Sequence, residues 1–225
     1  TETVLLAGLA IGSRMSYAVV GDKTYYSNGQ VIGYVKAGIR YDLPDPGIQY
    51  KAKMPAGHIL VAYRARMYSA VGDTLYFSDA AAYERYTVSP ETQAFKKFAG
   101  WITLLIAMQD GLYVSDGLQT FFMSGASPEE MSITIVDPAP AIANTSAYVE
   151  RGTTDGITLR SQPLAKPTAI WTSTRGICLG LDSGNLKNIT EKKYARNITE
   201  LNNCSGFFRE TINTKIPQYI FTEAN

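Results

Sequence analysis

Residues 59–79, ILVAYRARMYSAVGDTLYFSD, decide the fold. Two alternating apolar runs, 59–70 and 74–78, flank Val71-Gly72-Asp73, and a second turn follows at Asp79. Alternation with a period of two puts apolar side chains on one face of a pleated strand, and a Gly-Asp step between two such runs signals a hairpin. The second half of this stretch recurs. VGDKTYYSNG at 20–29 lies upstream, while QDGLYVSDG at 109–117 and RGICLGLDSG at 175–184 lie downstream. Each copy is a tight turn, a short strand with an aromatic or large aliphatic centre, and another tight turn. The pattern specifies an all-β chain of antiparallel meander repeats, β-propeller-like, with a β-sandwich as the alternative. Uneven spacing of the copies fits blades with inserted loops and argues against a fixed-period solenoid.

Composition agrees. Fifteen Tyr, nineteen Gly and ten Pro suit strands and turns. A length of 225 residues leads us to expect one compact domain across 1–225. Twenty-one basic against twenty acidic residues leave a net charge of +1, which gives no general attraction to nucleic acid or to a membrane surface. The charged fraction of 18% is below the ~25% of ordinary soluble domains, and with so many tyrosines it suits a surface covered by neighbours as well as plain β composition. No apolar run approaches the ~20 residues of a membrane helix, and no basic-then-apolar signal segment opens the chain. It begins at Thr1, which reads as a processed product or a segment of a longer one. Cys178 and Cys204 are too few and too far apart for a zinc motif or a disulfide framework, so two reduced thiols are expected.

In chain order, an opening strand is expected within 3–11, a hairpin at 14–20 and 24–27 closed by Asn28-Gly29, and a third strand at 30–35. Pro44, Pro46 and Pro55 make 41–57 a connecting loop. Residues 80–86 suit one helical turn. Strands follow at 101–108, 112–115 and 120–123. Ser127 is placed to cap a brief helix from Pro128, with a strand at 132–136 and a proline-rich crossing at 137–141. A polar hairpin is expected from 147–151 with 156–159, a blade-like unit at 169–173 and 176–181, a strand at 186–189, and closing strands at 207–212 and 218–222. A last strand paired with the first would seal the sheet edges.

Candidate chemistry is sparse. His58 is the sole histidine, so a histidine triad needs it and clustered histidine metal sites are excluded; at a strand entry it reads as structural. Asp79, Asp116, Asp182 and Asn28 hold equivalent places after the repeated strand. Paired carboxylates serve glycosidases, but turns select Asp and Asn as local backbone caps, and the cap reading is favoured. Arg64 and Arg66 alternate along one strand without the third partner that an acidic-sugar site would need. Asp110-Gly111 and Asp116-Gly117 are not phosphate loops, and no ligand series for calcium is present. Lys187, Lys192, Lys193 and Arg196 form the one basic concentration, read as a solvated face ahead of a DNA contact. Asn144, Asn188, Asn197 and Asn203 match the glycosylation pattern, which would matter only in a secreted or eukaryotic viral scaffold. We expect no enzyme activity, no cofactor and no metal.

Residues 25–33, YYSNGQVIG, and 66–79, RMYSAVGDTLYFSD, resemble a group of phage and prophage virion proteins. Residues 110–117 with Ser127-Pro128-Glu129-Glu130, and 174–180 with Asn188-Ile189-Thr190, are similar to the same group's downstream signatures, so the likeness runs from about Gly12 to Tyr194. Members of the group carry additional sequence before the first motif. The resemblance implies a β-propeller structural subunit of the tail or neck, nozzle- or hub-like. It implies a homo-oligomeric ring, sixfold on this likeness alone, between portal-side or adaptor components and the distal tail, with genomic DNA passing through and no membrane partner. A carbohydrate-binding or glycan-cleaving β domain of a tail fibre or spike is the alternative.

Overall fold

A computed structural model describes residues 9, 14–92, 94–149, 158–159, 162–163, 167–191, 204–210 and 217–222. Hairpins build the molecule one contiguous stretch at a time, in two compact units, Thr1–Ile102 and Thr103–Asn225.

In the first unit β1 (Ser16–Val20), β2 (Lys23–Ser27), β3 (Ile32–Lys36) and β4 (Ile39–Asp42) pair in sequence order as an antiparallel meander. After β5 (Lys51–Lys53) come β6 (Ile59–Tyr63), β7 (Arg66–Val71) and β8 (Thr74–Phe77). β9 (Arg85–Thr87) returns to pair with β5, and β10 (Phe95–Lys97) completes a second sheet in the order β10-β8-β7-β6. The first strands of the two meanders lie against each other, and the Leu60 amide donates to Ser16 Oγ at 2.8 Å. Alternation gives the core. Ala18, Tyr25 and Tyr34 form one cross-strand row, which packs with Leu43, Met54, Leu60 and Met67.

The second unit holds β11 (Leu104–Ala107), β12 (Leu112–Ser115), β13 (Thr120–Ser124) and β14 (Ser132–Asp137), again a meander in sequence order. Its other four-stranded sheet is formed by β15 (Ala147–Val149), β18 (Thr168–Ser173), β19 (Gly176–Gly180) and β20 (Leu186–Asn188). Two-stranded pairs are made by β16 (Thr158–Leu159) with β17 (Gln162–Pro163) and by β21 (Ser205–Glu210) with β22 (Pro217–Thr222). Tyr113 packs between Phe122 and Trp171, with ring centroids 4.9 and 5.2 Å away, and full burial of such side chains contributes on the order of 1.5–3 kcal/mol each. Gly180 makes room for them, since a Cβ there would lie 2.6 Å from the Trp171 ring and 2.7 Å from that of Tyr113.

The chain is therefore all-β and built of antiparallel meanders, as its repeats specify, and among the described residues no sheet closes into a barrel. Several elements differ from expectation. Residues 59–70 are two strands, because Arg64 and Ala65 both take positive φ (44° and 57°) in a two-residue type I′ turn that their side chains do not advertise. The expected loop 41–57 contains the end of β4 and all of β5, while 80–86 is turn and strand without a helix. β10 had no sequence signal. Ser127 does precede a 3-10 turn at Pro128–Glu130, but its side chain makes no capping bond. β15 pairs with β18, and β16 with β17, in place of a hairpin from 147–151 and 156–159. Among the described residues β22 pairs with β21, and most of the strand expected at 3–11 lies outside them.

Candidate functional site

The Asx that follows each repeated strand, preceded by Ser at Asn28, Asp79 and Asp116 and by Leu at Asp182, is the first candidate. Asn28 Oδ1 accepts from the amides of Gln30 and Val31 at 3.0 and 2.9 Å, and Asp116 Oδ1 accepts from those of Leu118 and Gln119 at 3.1 and 3.0 Å. The two positions make the same turn with different chemistry at the second side-chain atom. The preceding serines reach further along the chain. Ser27 Oγ donates to the Gly57 carbonyl at 2.6 Å, at the entry to β6, and Ser115 Oγ accepts from the Ala141 amide at 2.9 Å, on the way to β15. Ser27-Asn28 and Ser115-Asp116 are thus each a joint between one meander and the next connection.

Asp79 and Asp182 depart from this role. The Asp79 carboxylate pairs with Lys51 at 2.6 Å and Arg85 at 3.5 Å and accepts from Thr87 Oγ1 at 2.8 Å. Burial pushes its pKa upward, but Lys51, Thr87 and Arg85 outweigh burial and hold it below the ordinary aspartate value. Asp182 opens a 3-10 turn whose Ser183 donates through its amide and hydroxyl to Asp110 Oδ2 at 2.7 and 2.9 Å.

His58 Nε2 donates to the Ile102 carbonyl at 2.7 Å, and its ring lies 4.8 Å from that of Trp101. Burial lowers its pKa, so the ring is neutral near pH 7. Arg66 donates to the Ser78 carbonyl at 2.6 Å, whereas Arg64 sits in the turn over the Tyr63 ring, so the two do not line one strand. Cys178 and Cys204 are buried and are not joined by a disulfide, and burial pushes the Cys178 pKa up to about 12. Lys187 is exposed on β20; Lys192, Lys193, Arg196, Asn197 and Asn203 lie outside the described residues. Asn188 is engaged through Nδ2 with the Arg175 carbonyl at 2.8 Å, and Asn144 is an exposed turn residue. Among the described residues no group of three or more His, Cys, Asp or Glu is placed to hold a metal ion.

The second candidate is the proline-rich connection of the first unit. A cleft of about 380 Å³ is lined by Pro44, Asp45, Pro46, Ala81, Ala82, Glu84 and Arg85. Glu84 Oε1 accepts from Lys23 Nζ at 2.7 Å and from the Tyr25 hydroxyl at 2.6 Å. Burial opposes the Glu84 charge, yet Lys23 and Tyr25 hold its pKa below the ordinary value; burial and then Glu84 raise that of Tyr25. This network spans about sixty positions of sequence and left no local signal. A sugar site would need stacking aromatics beside its carboxylates, and none lines the cleft, where Asp45 also caps the Gly47 amide at 3.2 Å. Beside the cleft, the tip of the connection leaves Ile48 and Tyr50 49% and 53% exposed.

No protein-family profile matches the chain, and no curated protein matches it. Among solved structures it is similar to the extracellular domain of a putative hybrid two-component system from B. thetaiotaomicron, with 9% identity and a TM-score of 0.46. The alignment covers 83% of this chain and 23% of that one, so the chain spans about a quarter of that structure's length. A likeness this distant carries no functional argument.

Proposed function

We propose that the chain is a bacteriophage virion structural protein of the tail or neck, acting by packing and not by catalysis. It joins its own copies into a ring around a DNA channel, between portal-side and distal tail parts. The observation that carries this reading is how the polar groups are spent. Ser27, Asn28, Ser115 and Asp116 fasten meanders to their connections, and Asp79 and Glu84 are committed to internal cations, while apolar side chains such as Ile48 and Tyr50 are left outside on a braced loop. Proline-rich tips lose little conformational entropy on docking, which suits contacts between subunits. The resemblance of the repeated turns to phage virion proteins supplies the setting.

Native mass and electron-microscope class averages of the purified chain test the proposal. A closed ring with a central channel is expected, and I48D/Y50D, which leaves the buried Leu43 and Met54 intact, should prevent ring closure while the far-ultraviolet spectrum stays β-rich. A ring unaffected by that double change removes the loop tip from the interface. A chain that forms no ring, alone or with portal-side components, overturns the reading.

A further inference from the structure

Tyr34 on β3 and Tyr41 on β4 stand directly opposite each other in the ladder. Their ring centroids are 5.1 Å apart and the ring planes differ by only 15°. With about 3.5 Å between the planes, an ordinary carbon contact, that separation leaves a lateral offset of roughly 3.7 Å, so the rings overlap at their edges and bring carbons of the two phenols into contact. Tyr41 is 40% exposed and Tyr34 half-buried. Neither phenol is held by a hydrogen bond among the described residues, while Lys23 Nζ, 4.4 Å from the Tyr34 centroid, steadies that ring. Other tyrosine pairs lack this combination. Tyr25 is buried and gives its hydroxyl to Glu84, Tyr63 and Tyr68 are buried with centroids 6.3 Å apart, and Tyr76 meets Tyr86 edge-on at 77°.

We propose that Tyr34 and Tyr41 form an oxidative cross-linking site, a latent dityrosine staple between β3 and β4. The co-reactant is a one-electron oxidant of the peroxidase class, with hydrogen peroxide as the terminal acceptor. Each phenol gives up one electron and its hydroxyl proton, and the two radicals join through a new bond between ring carbons ortho to oxygen. The hydrogen on each joined carbon then moves to the phenol oxygen, which restores both aromatic rings. The protein loses two hydrogen atoms in total, and one peroxide becomes two waters. Both radicals are neutral, so the Lys23 ammonium does not oppose their formation by charge. Rings already in contact react within one chain at an effective concentration far above that of any second chain. β4 is the last strand of its sheet among the described residues, and the proline-rich connection with Ile48 and Tyr50 at its tip leaves from it. The bond therefore ties down the base of that connection, whether or not the tip meets another subunit.

A haem peroxidase with hydrogen peroxide, applied to the dilute full chain, tests it. Blue dityrosine fluorescence should appear in chains that stay single and become lighter by two hydrogen atoms. Tryptic digestion should then yield peptide 24–36 joined to peptide 41–51, with the link at Tyr34 and Tyr41. Y34F and Y41F keep the rings and remove no hydrogen bond, so they fold, and each should lower the yield at least ~tenfold because the remaining tyrosine has lost its reacting partner. Y17F and Y50F change tyrosines that are 62% and 53% exposed and should leave the yield unaltered. Only seven positions separate the pair in sequence, so the chain unfolded in urea is oxidised alongside, and there the links should scatter over many tyrosines. A native chain that gives no internal link, a link that survives Y34F or Y41F, or the same distribution of links in native and unfolded chains overturns the proposal.

Discussion

Replacing Asp116 separates a turn cap from a chemical carboxylate. Asp116 is 1% exposed, its Oδ1 takes both turn amides, and its Oδ2 has no hydrogen-bond partner. Asp116→Ala removes two hydrogen bonds, each with a net value of roughly 0.5–1.5 kcal/mol. Leu118 is exposed, so water can reach the turn and the loss stays near the lower end, about 1–2 kcal/mol. At about 2–4 °C per kcal/mol for a chain of this size, the midpoint falls by roughly 2–8 °C. Asp116→Asn keeps Oδ1 as acceptor and copies Asn28, whose own Nδ2 is likewise without a partner, so it should stay within about 0.5 kcal/mol of wild type. Urea unfolding followed by tryptophan fluorescence, with calorimetry as the second probe, measures both variants. A loss with Asn as large as that with Ala would show that the charge and not the cap matters; no loss with Ala would refute the joint.

Ala65→Gly relieves a positive φ and should stabilise the first unit by about 0.5–1 kcal/mol in the same unfolding experiment, whereas destabilisation would mean the turn is not as described. Glu84 has a folded pKa below its ordinary 4.5, so its contribution is fully present above that value and is lost as pH falls through the folded pKa; Glu84→Gln should flatten this acid limb of stability, and an unchanged limb would count against the network. With Cys178 at about 12, and Cys204 equally buried, an aromatic disulfide reagent at pH 8 should label neither thiol until the chain unfolds, and rapid native labelling would contradict that burial.

The repeated turns were legible because Gly, Asn and Asp declare their backbone geometry. Asn28-Gly29, Gly72-Asp73 and Asp116-Gly117 each fell where a strand ends. Turns made by residues without that preference were not legible, and Arg64-Ala65 hid a whole hairpin inside one apolar run. Short strands such as Lys51–Lys53 and Phe95–Lys97 are too brief to carry a period and exist because a distant partner pairs with them. The cap role of Asp116 could be argued from its turn, but nothing local distinguished it from Asp79, whose partners Lys51, Arg85 and Thr87 come from a neighbouring strand pair. Glu84 carries no local signal for the same reason, since its partners Lys23 and Tyr25 lie about sixty positions away.

Because β1 to β4 and β11 to β14 are each one uninterrupted stretch of chain, nearly all of their pairing partners are close in sequence. Closing them costs little loop entropy, and such local topologies fold fast. A growing chain can therefore complete one sheet while the next is still being synthesised, and the serine joints at Ser27 and Ser115 then fasten what is already formed. The order of synthesis becomes the order of assembly, and whole meanders are the natural unit by which a gene for this protein can lengthen or shorten.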